Sequence, residues 1–192
     1  ELWPGFRISR AAYVVGLLRP AVQRELELGR HGLSLLPRDP ASHTPLPDGR
    51  RLLLGSDPEA NARSIAQFSP RDADRFPRYE GFLDRLARAF EPLLDAPPPN
   101  PLGLRARDLG RLSRAGWALL RLRRDLPRAA QLLLGPARDA LESWFESEPL
   151  RGTLATDAVI GAWASPSAPG TGYVLLHHVM GETGGARGVW AY

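Results

Sequence analysis

Cysteine is absent from this chain of 192 residues, so disulfides, thiolate metal sites, thiol nucleophiles and iron–sulfur ligation are excluded within it, and a reducing compartment is indicated. Lysine is absent too, and all 25 basic residues are arginine. A P-loop needs its lysine on the phosphates, and pyridoxal-phosphate enzymes and Schiff-base aldolases need an amine nucleophile, so none of these is housed here. Methionine occurs once, at Met180, while the chain opens on Glu1. That pairing reads as an internal piece of a larger intracellular protein, not as a complete enzyme by itself. No run approaches the roughly 18 apolar residues of a spanning helix, and no basic, apolar, small-residue signal opens the chain, which is the pattern of a soluble segment.

What is present suits one globular domain: 43% hydrophobic residues and a length that can bury a core. The isoelectric point near 10.3 overstates the charge, which is only +4, because arginine's very high pKa inflates it when lysine is missing. Arginine replacing lysine among many Ala, Gly and Pro is the mark of GC-rich coding. Aromatic residues are not interleaved with the basic ones as a stacking platform requires, so no nucleic-acid partner is expected.

Residues 31 to 55 read as strands. The apolar run Leu33 to Leu36 is followed by an extended proline-rich stretch, then by Pro47-Asp48-Gly49, a turn signal ahead of Leu52-Leu53-Leu54, which predicts a small hairpin or meander. Helices follow. Asp57 before Pro58 fits an N-cap with proline at the first helical position, and Ser69-Pro70-Arg71-Asp72 repeats the device. Phe82, Leu83, Leu86, Phe90 and Leu93 recur at helical spacing and mark a core stripe. Asp95 to Pro101 holds four prolines in seven residues and predicts a hinge or loop.

Beyond it, residues 105 to 128 predict one basic amphipathic helix, with Arg107, Arg111, Arg114, Arg121, Arg124 and Arg128 along one side and Leu109, Leu112, Leu119 and Leu126 nearer the other. A solvated face is the commoner origin of such a pattern, and a peripheral contact with an anionic membrane is the alternative. Further helices are expected from Pro136 to Phe145 and from Pro149 through Leu154, Ala158 and Ile160. SPSAPGTG at 165–172 and GETGGARG at 181–188 read as loops, YVLLHHVM between them as a buried apolar segment, and Gly188 to Tyr192 as a strand.

Chemistry-bearing residues are few. The glycines of 181–188 do not spell G-x-G-x-x-G and lack a strand-to-helix setting, so no dinucleotide fingerprint is present. His177 and His178 are the best candidates for proton transfer. As neighbours they point different ways, which argues against a shared metal site, and His31 and His43 lack metal-type spacing. No metal is expected. Glu142, Glu146 and Glu148 surround Trp144, but carboxylates so placed are usually solvated. Ser165, His177 and Asp157 supply the residue types of a triad, but G-x-S-x-G is missing.

Taken in order, PGFRISRAAYVVGLLRP, LELGRHGLSLLPRDP, PDGRRLLLGSD, IAQFSPRDADRF, WFESEPLRGTLATDAVIG and SP-x-x-PGTGYVLLHHVMG resemble the middle of the pyridine nucleotide-disulphide oxidoreductase domain-containing protein 2 family, phytoene-desaturase-like FAD-dependent oxidoreductases. The resemblance is thinnest from Ala96 to about Ala137. It implies an amine-oxidase-like, FAD/NAD(P)-binding architecture with an N-terminal Rossmann half and a C-terminal flavin loop, both missing here. The whole chain, 1–192, is then the substrate-side domain: an α+β, mostly helical cap with a small mixed or antiparallel sheet. Its parts are a strand region at 32–54, a helical cap at 57–163, and a return toward the flavin site at 164–192. In the family a G-x-W-x-Y stretch leads into a glycine-rich loop beside the flavin, and Gly188, Trp190 and Tyr192 match that lead-in, so Trp190 and Tyr192 are the cofactor-binding candidates.

The implied cofactor is FAD, held by the full-length parent through a motif outside this fragment, and the implied substrate is an apolar small molecule. The alternative is a non-catalytic membrane- or partner-binding regulatory module. Compartment follows the resemblance: mitochondrial matrix for an animal protein, cytoplasm for a bacterial one, with the match slightly closer to the animal form.

Overall fold

Two proline-marked boundaries organise the helical layer of the computed structural model, which describes residues 4–5, 14–94, 97, 100, 102, 106–183 and 185–192, apart from the side chains of 106, 107, 114, 115, 118, 119 and 186. A short helix α1 (Pro20–Glu25) precedes the hairpin β1 (Ser42–Pro45) and β2 (Arg51–Leu54). At the start of α2 (Pro58–Ala66) the Asp57 carboxylate accepts from the Glu59 amide at 2.9 Å, the N-cap expected from the sequence. At the start of α3 (Pro70–Leu94) the Ser69 hydroxyl accepts from the Asp72 amide at 3.1 Å. The rest comprises α4 (Ala106–Arg121), α5 (Leu126–Leu134), α6 (Ala137–Trp144), α7 (Glu148–Ala155), a 3-10 turn (Thr156–Ala158), α8 (Thr171–Val179) and a two-residue hairpin, β3 (Glu182–Thr183) with β4 (Ala186–Arg187). Both described sheets are antiparallel and two-stranded, so the chain is α+β and mostly helical, as expected.

The core follows from the stripe on α3. Phe76, Tyr79, Phe82, Leu83 and Leu86 are buried there and meet Leu141 and Phe145 from the α6 region, Leu150 of α7, and Leu175 and Leu176 of α8 in one continuous apolar cluster. Tyr79 packs edge-on against Phe145 at 5.1 Å and against Trp144 at 5.7 Å, the geometry that aromatic quadrupoles favour. The carboxylate of Asp72 sits inside this layer, fully buried, and accepts from the amides of Glu146 and Ser147 and from the Ser147 hydroxyl at 2.6 Å. It thereby anchors the start of α7 to the first turn of α3, satisfying amides that a helix beginning leaves open.

Four expectations change. Leu33–Leu36 is not a strand of the hairpin: the turn at Pro47–Gly49 pairs the residues nearest it, so Ser42 lies opposite Leu54, and the stretch before is left irregular. The single basic helix breaks at residues 122–125, because Pro127 has no amide to donate and disfavours helix just before it; it opens α5 instead. Ile160 lies beyond the 3-10 turn and is exposed, so α7 ends earlier than its periodicity suggests. GETGGARG is not plain loop: Gly185, at φ +81°, lets the chain reverse between β3 and β4. Of the proline-rich hinge, Asp95, Ala96, Pro98, Pro99 and Pro101 lie outside the described residues, as do the side chains of Arg107, Arg114 and Leu119.

Candidate functional site

YVLLHHVM folds into most of α8, and its geometry decides what the two histidines touch. Gly172, in its first turn, passes so close to the Leu132 and Gly135 carbonyls of the α5 end that a Cβ would collide, which seats α8 against α5. The seat buries Leu175 and Leu176 and leaves His177 and His178 half-buried on its last turn. His177 leans toward the exposed Tyr173 ring, centroids 6.4 Å apart. His178 turns the other way. Its ring stacks on Trp190 at 4.3 Å with 25° between the planes, and its Nε2 lies 3.4 Å from Asp157 Oδ1 in the 3-10 turn.

Trp190 is held in place by backbone. Ala191 bridges two segments at once: it exchanges bonds with Val15 at 2.7 and 2.8 Å, while Tyr192 pairs with Leu36 and the Arg38 amide donates to Trp190 O at 2.7 Å. The Trp190 indole N–H donates to His178 O at 3.3 Å. Beneath the indole lies Gly16, where an added Cβ would come within 2.8 Å of the ring. Of the stretch expected to be a strand at 188–192, only Ala191 forms bridges, and Gly188 sits in a turn at φ +71°. Arg187, on β4, donates to Glu91 at 2.7 Å and ties this end to α3.

Burial governs the electrostatics. It lifts the Asp157 carboxyl to about 6, with the Arg38 guanidinium opposing. It lowers His178 to about 4, helped by His177 and Arg38. It also raises the fully buried Tyr79 phenol, with Asp157 and Glu80 adding to the effect. Near pH 7 Asp157 is thus mostly ionised and His178 neutral. A neutral imidazole facing a carboxylate keeps its proton on Nε2 and leaves Nδ1 as an acceptor, so the dyad can hold an oriented base beside an aromatic face. At 3.4 Å the contact is looser than a good hydrogen bond.

The other sequence candidates separate. Asp157 approaches His178, not His177, and the exposed Ser165 spends its hydroxyl on the Ser167 amide, so no triad forms from them. The three glutamates are not paired carboxylates: Glu142 binds Arg138, Glu146 binds Ser69 and Arg71, and Glu148 binds Arg151. Those bonds hold the Glu142 and Glu146 carboxyls below the usual range. Tyr192 is exposed. Arg38 carries no sequence signal beyond its place in LLPRDP, and only the pairing with Trp190 brings it to the site. Among the described residues no group of three or more His, Cys, Asp and Glu could hold a metal ion, and no helix is long and apolar enough to cross a membrane.

Near relatives include proteins from Rattus norvegicus and from Mus musculus, both named pyridine nucleotide-disulfide oxidoreductase domain-containing protein 2. Each is 49% identical over 206 aligned residues that take in the whole of this chain. The chain spans 36% of the length of these relatives. No protein-family model matches it, and no solved structure does. The resemblance read from the ordered segments therefore holds, and the chain is a relative, along its whole length, of the pyridine nucleotide-disulfide oxidoreductase domain-containing protein 2 family.

Proposed function

We propose that the whole protein is an FAD-dependent oxidoreductase of the phytoene-desaturase-like, amine-oxidase-like type, acting on an apolar small molecule, and that this chain forms its substrate side. Residues 32–54 serve as floor, 57–163 as cap and 164–192 as the return toward the flavin. The relatives' name supports the oxidoreductase part. The observation that carries the site is the His178–Asp157 dyad against Trp190, because Trp190 belongs to the stretch that resembles the family's lead-in to its flavin loop.

The fit to the cofactor is partial. The exposed Tyr192 ring offers a flat face to a heteroaromatic ring, whereas the Trp190 indole is already covered by His178 and Gly16. A pyrophosphate cradle does not come from α8, whose opening amides are already bonded: Thr171 to Ala168 O and Gly172 to Gly135 O. The phosphate-binding residues are accordingly assigned to the rest of the protein. FAD, when bound, supplies the hydride acceptor. The part of this chain is to shape an apolar wall, exclude water, and hold a neutral His178 oriented by Asp157, able to take a proton at Nδ1.

The test uses the full-length protein. It should purify with flavin absorbance, or gain it on reconstitution with FAD; no flavin in either case sinks the reading. Substrate-dependent flavin reduction should fall in His178→Ala and Asp157→Asn and persist in His177→Ala. Equal rates in all three would remove the dyad from the chemistry while leaving the flavin assignment standing.

A further inference from the structure

The amphipathic helix α4 takes no part in the site around His178. Its apolar edge is out in solvent: Leu109 is 53% exposed, Trp117 60% and Leu120 62%, whereas the core leucines are at most 7% exposed. On the helical repeat these three positions fall within about 80° of one another, with Arg121 flanking them and Arg111, paired with Asp108, further round. Charge follows the same segment. Residues 105–128 contain eight arginines and two aspartates, a surplus of +6, so the remainder of the chain is net negative although the whole is +4.

Most arginines on α2, α3, α6 and α7 face carboxylates: Arg63, Arg78, Arg85, Arg88, Arg138 and Arg151 are all ion-paired. Arg121, Arg123, Arg124 and Arg128 are exposed and have no ion pair among the described residues; Arg121 lies over the Trp117 ring at 5.7 Å and Arg128 over the Trp144 ring at 5.2 Å. Beside Trp117 a groove of about 340 Å³ runs between α3 and α4, with Pro92, Leu93 and Trp117 as apolar wall and Arg88 and Arg121 at its rim.

From this we infer that α4 and the turn after it form a docking surface for an anionic phospholipid bilayer. The helix lies flat at the interface. Leu109, Trp117 and Leu120 enter the acyl boundary, and the unpaired arginines meet headgroup phosphates, the arrangement by which interfacial helices combine apolar burial with attraction to anionic lipid. Charge complementarity selects this occupant over a second copy of the chain. A two-fold contact through the apolar edge brings two arginine-rich segments together, whereas a phosphate surface neutralises both.

The experiment is co-sedimentation of the full-length protein at physiological salt with vesicles of phosphatidylcholine alone, and with vesicles containing one-third phosphatidylserine. Trp117→Ser/Leu120→Ser removes the apolar edge and Arg121→Gln/Arg124→Gln removes charge. All four residues are exposed, so circular dichroism and melting should stay unchanged. The expected result is binding to the anionic vesicles only, weakened about tenfold or more by each double variant. No binding above the neutral vesicles overturns the inference. So does binding that only the arginine variant weakens, retention on DNA without vesicle binding, or a dimer that the apolar variant dissociates while vesicles have no effect.

Discussion

The imidazole of His178 lies over the indole of Trp190, centroids 4.3 Å apart, although the two residues come from a helix and from an extended segment twelve positions later. The stack shields one face of the imidazole while Asp157 meets its edge. Its consequence is a histidine that stays neutral well below the usual histidine range, next to a carboxylate that protonates well above the usual carboxylate range.

That opposition gives a signed prediction. A depressed His178 means the unfolded state binds more protons between about 4 and the ordinary value of 6.5, so its contribution to stability grows as pH rises through that window. A raised Asp157 means the folded state binds more between the ordinary 3.8 and about 6, so its contribution shrinks as pH rises. Relative to the parent chain, Asp157→Asn should gain melting temperature from pH 4 to 6 and His178→Gln should lose it. The His178 ring resonance should titrate near 4; a midpoint above 6 would contradict the buried, neutral assignment.

Gly16→Ala places a methyl against the Trp190 indole, within 2.8 Å by geometry. Overpacking of this kind costs about 1 to 3 kcal/mol. Chemical denaturation should show that loss, with a change in near-ultraviolet circular dichroism as the indole shifts. An unchanged spectrum and midpoint would mean the indole has room to move.

Asp72→Ala strips the start of α7 of its buried acceptor, leaving the Glu146 and Ser147 amides and the Ser147 hydroxyl without it. With each orphaned buried donor costing about 1 to 3 kcal/mol, the loss should be about 3 kcal/mol or more. Asp139→Ala, on the exposed side of α6, should stay within about 0.5 kcal/mol.

Leu150 and Leu134 have the same side chain and opposite surroundings: 0% and 75% exposed. Truncation of Leu150 to alanine should cost about 2 to 5 kcal/mol by urea unfolding, and that of Leu134 about 0.5 kcal/mol or less. Similar losses at the two sites would contradict the burial of Leu150 in the core cluster.

Local signals were readable in order along the chain. Asp57 and Ser69 start helices because a short polar side chain reaches an amide two or three residues on, an interaction complete within one turn. The Pro47-Asp48-Gly49 turn was equally local, and Gly49 does take φ +83°. Within 31–55 the apolar run Leu33–Leu36 is the more conspicuous strand signal, yet the turn pairs Ser42–Pro45 with β2. The break before α5 was visible in Pro127, but the arginine periodicity ran through it and suggested continuity.

Helix starts, the α3 core stripe, the arginine enrichment of α4 and the resemblance carried by six ordered segments are all legible in the residues along the chain. That Asp157 serves His178 instead of His177, that Trp190 covers the ring, and that Asp72 holds the start of α7 come from the folded arrangement alone. Each of these contacts joins groups whose spacing in sequence has no fixed period. Packing of α8 on α5, and the bridging of Ala191 to both Val15 and Pro37, sets them side by side, which no local propensity encodes.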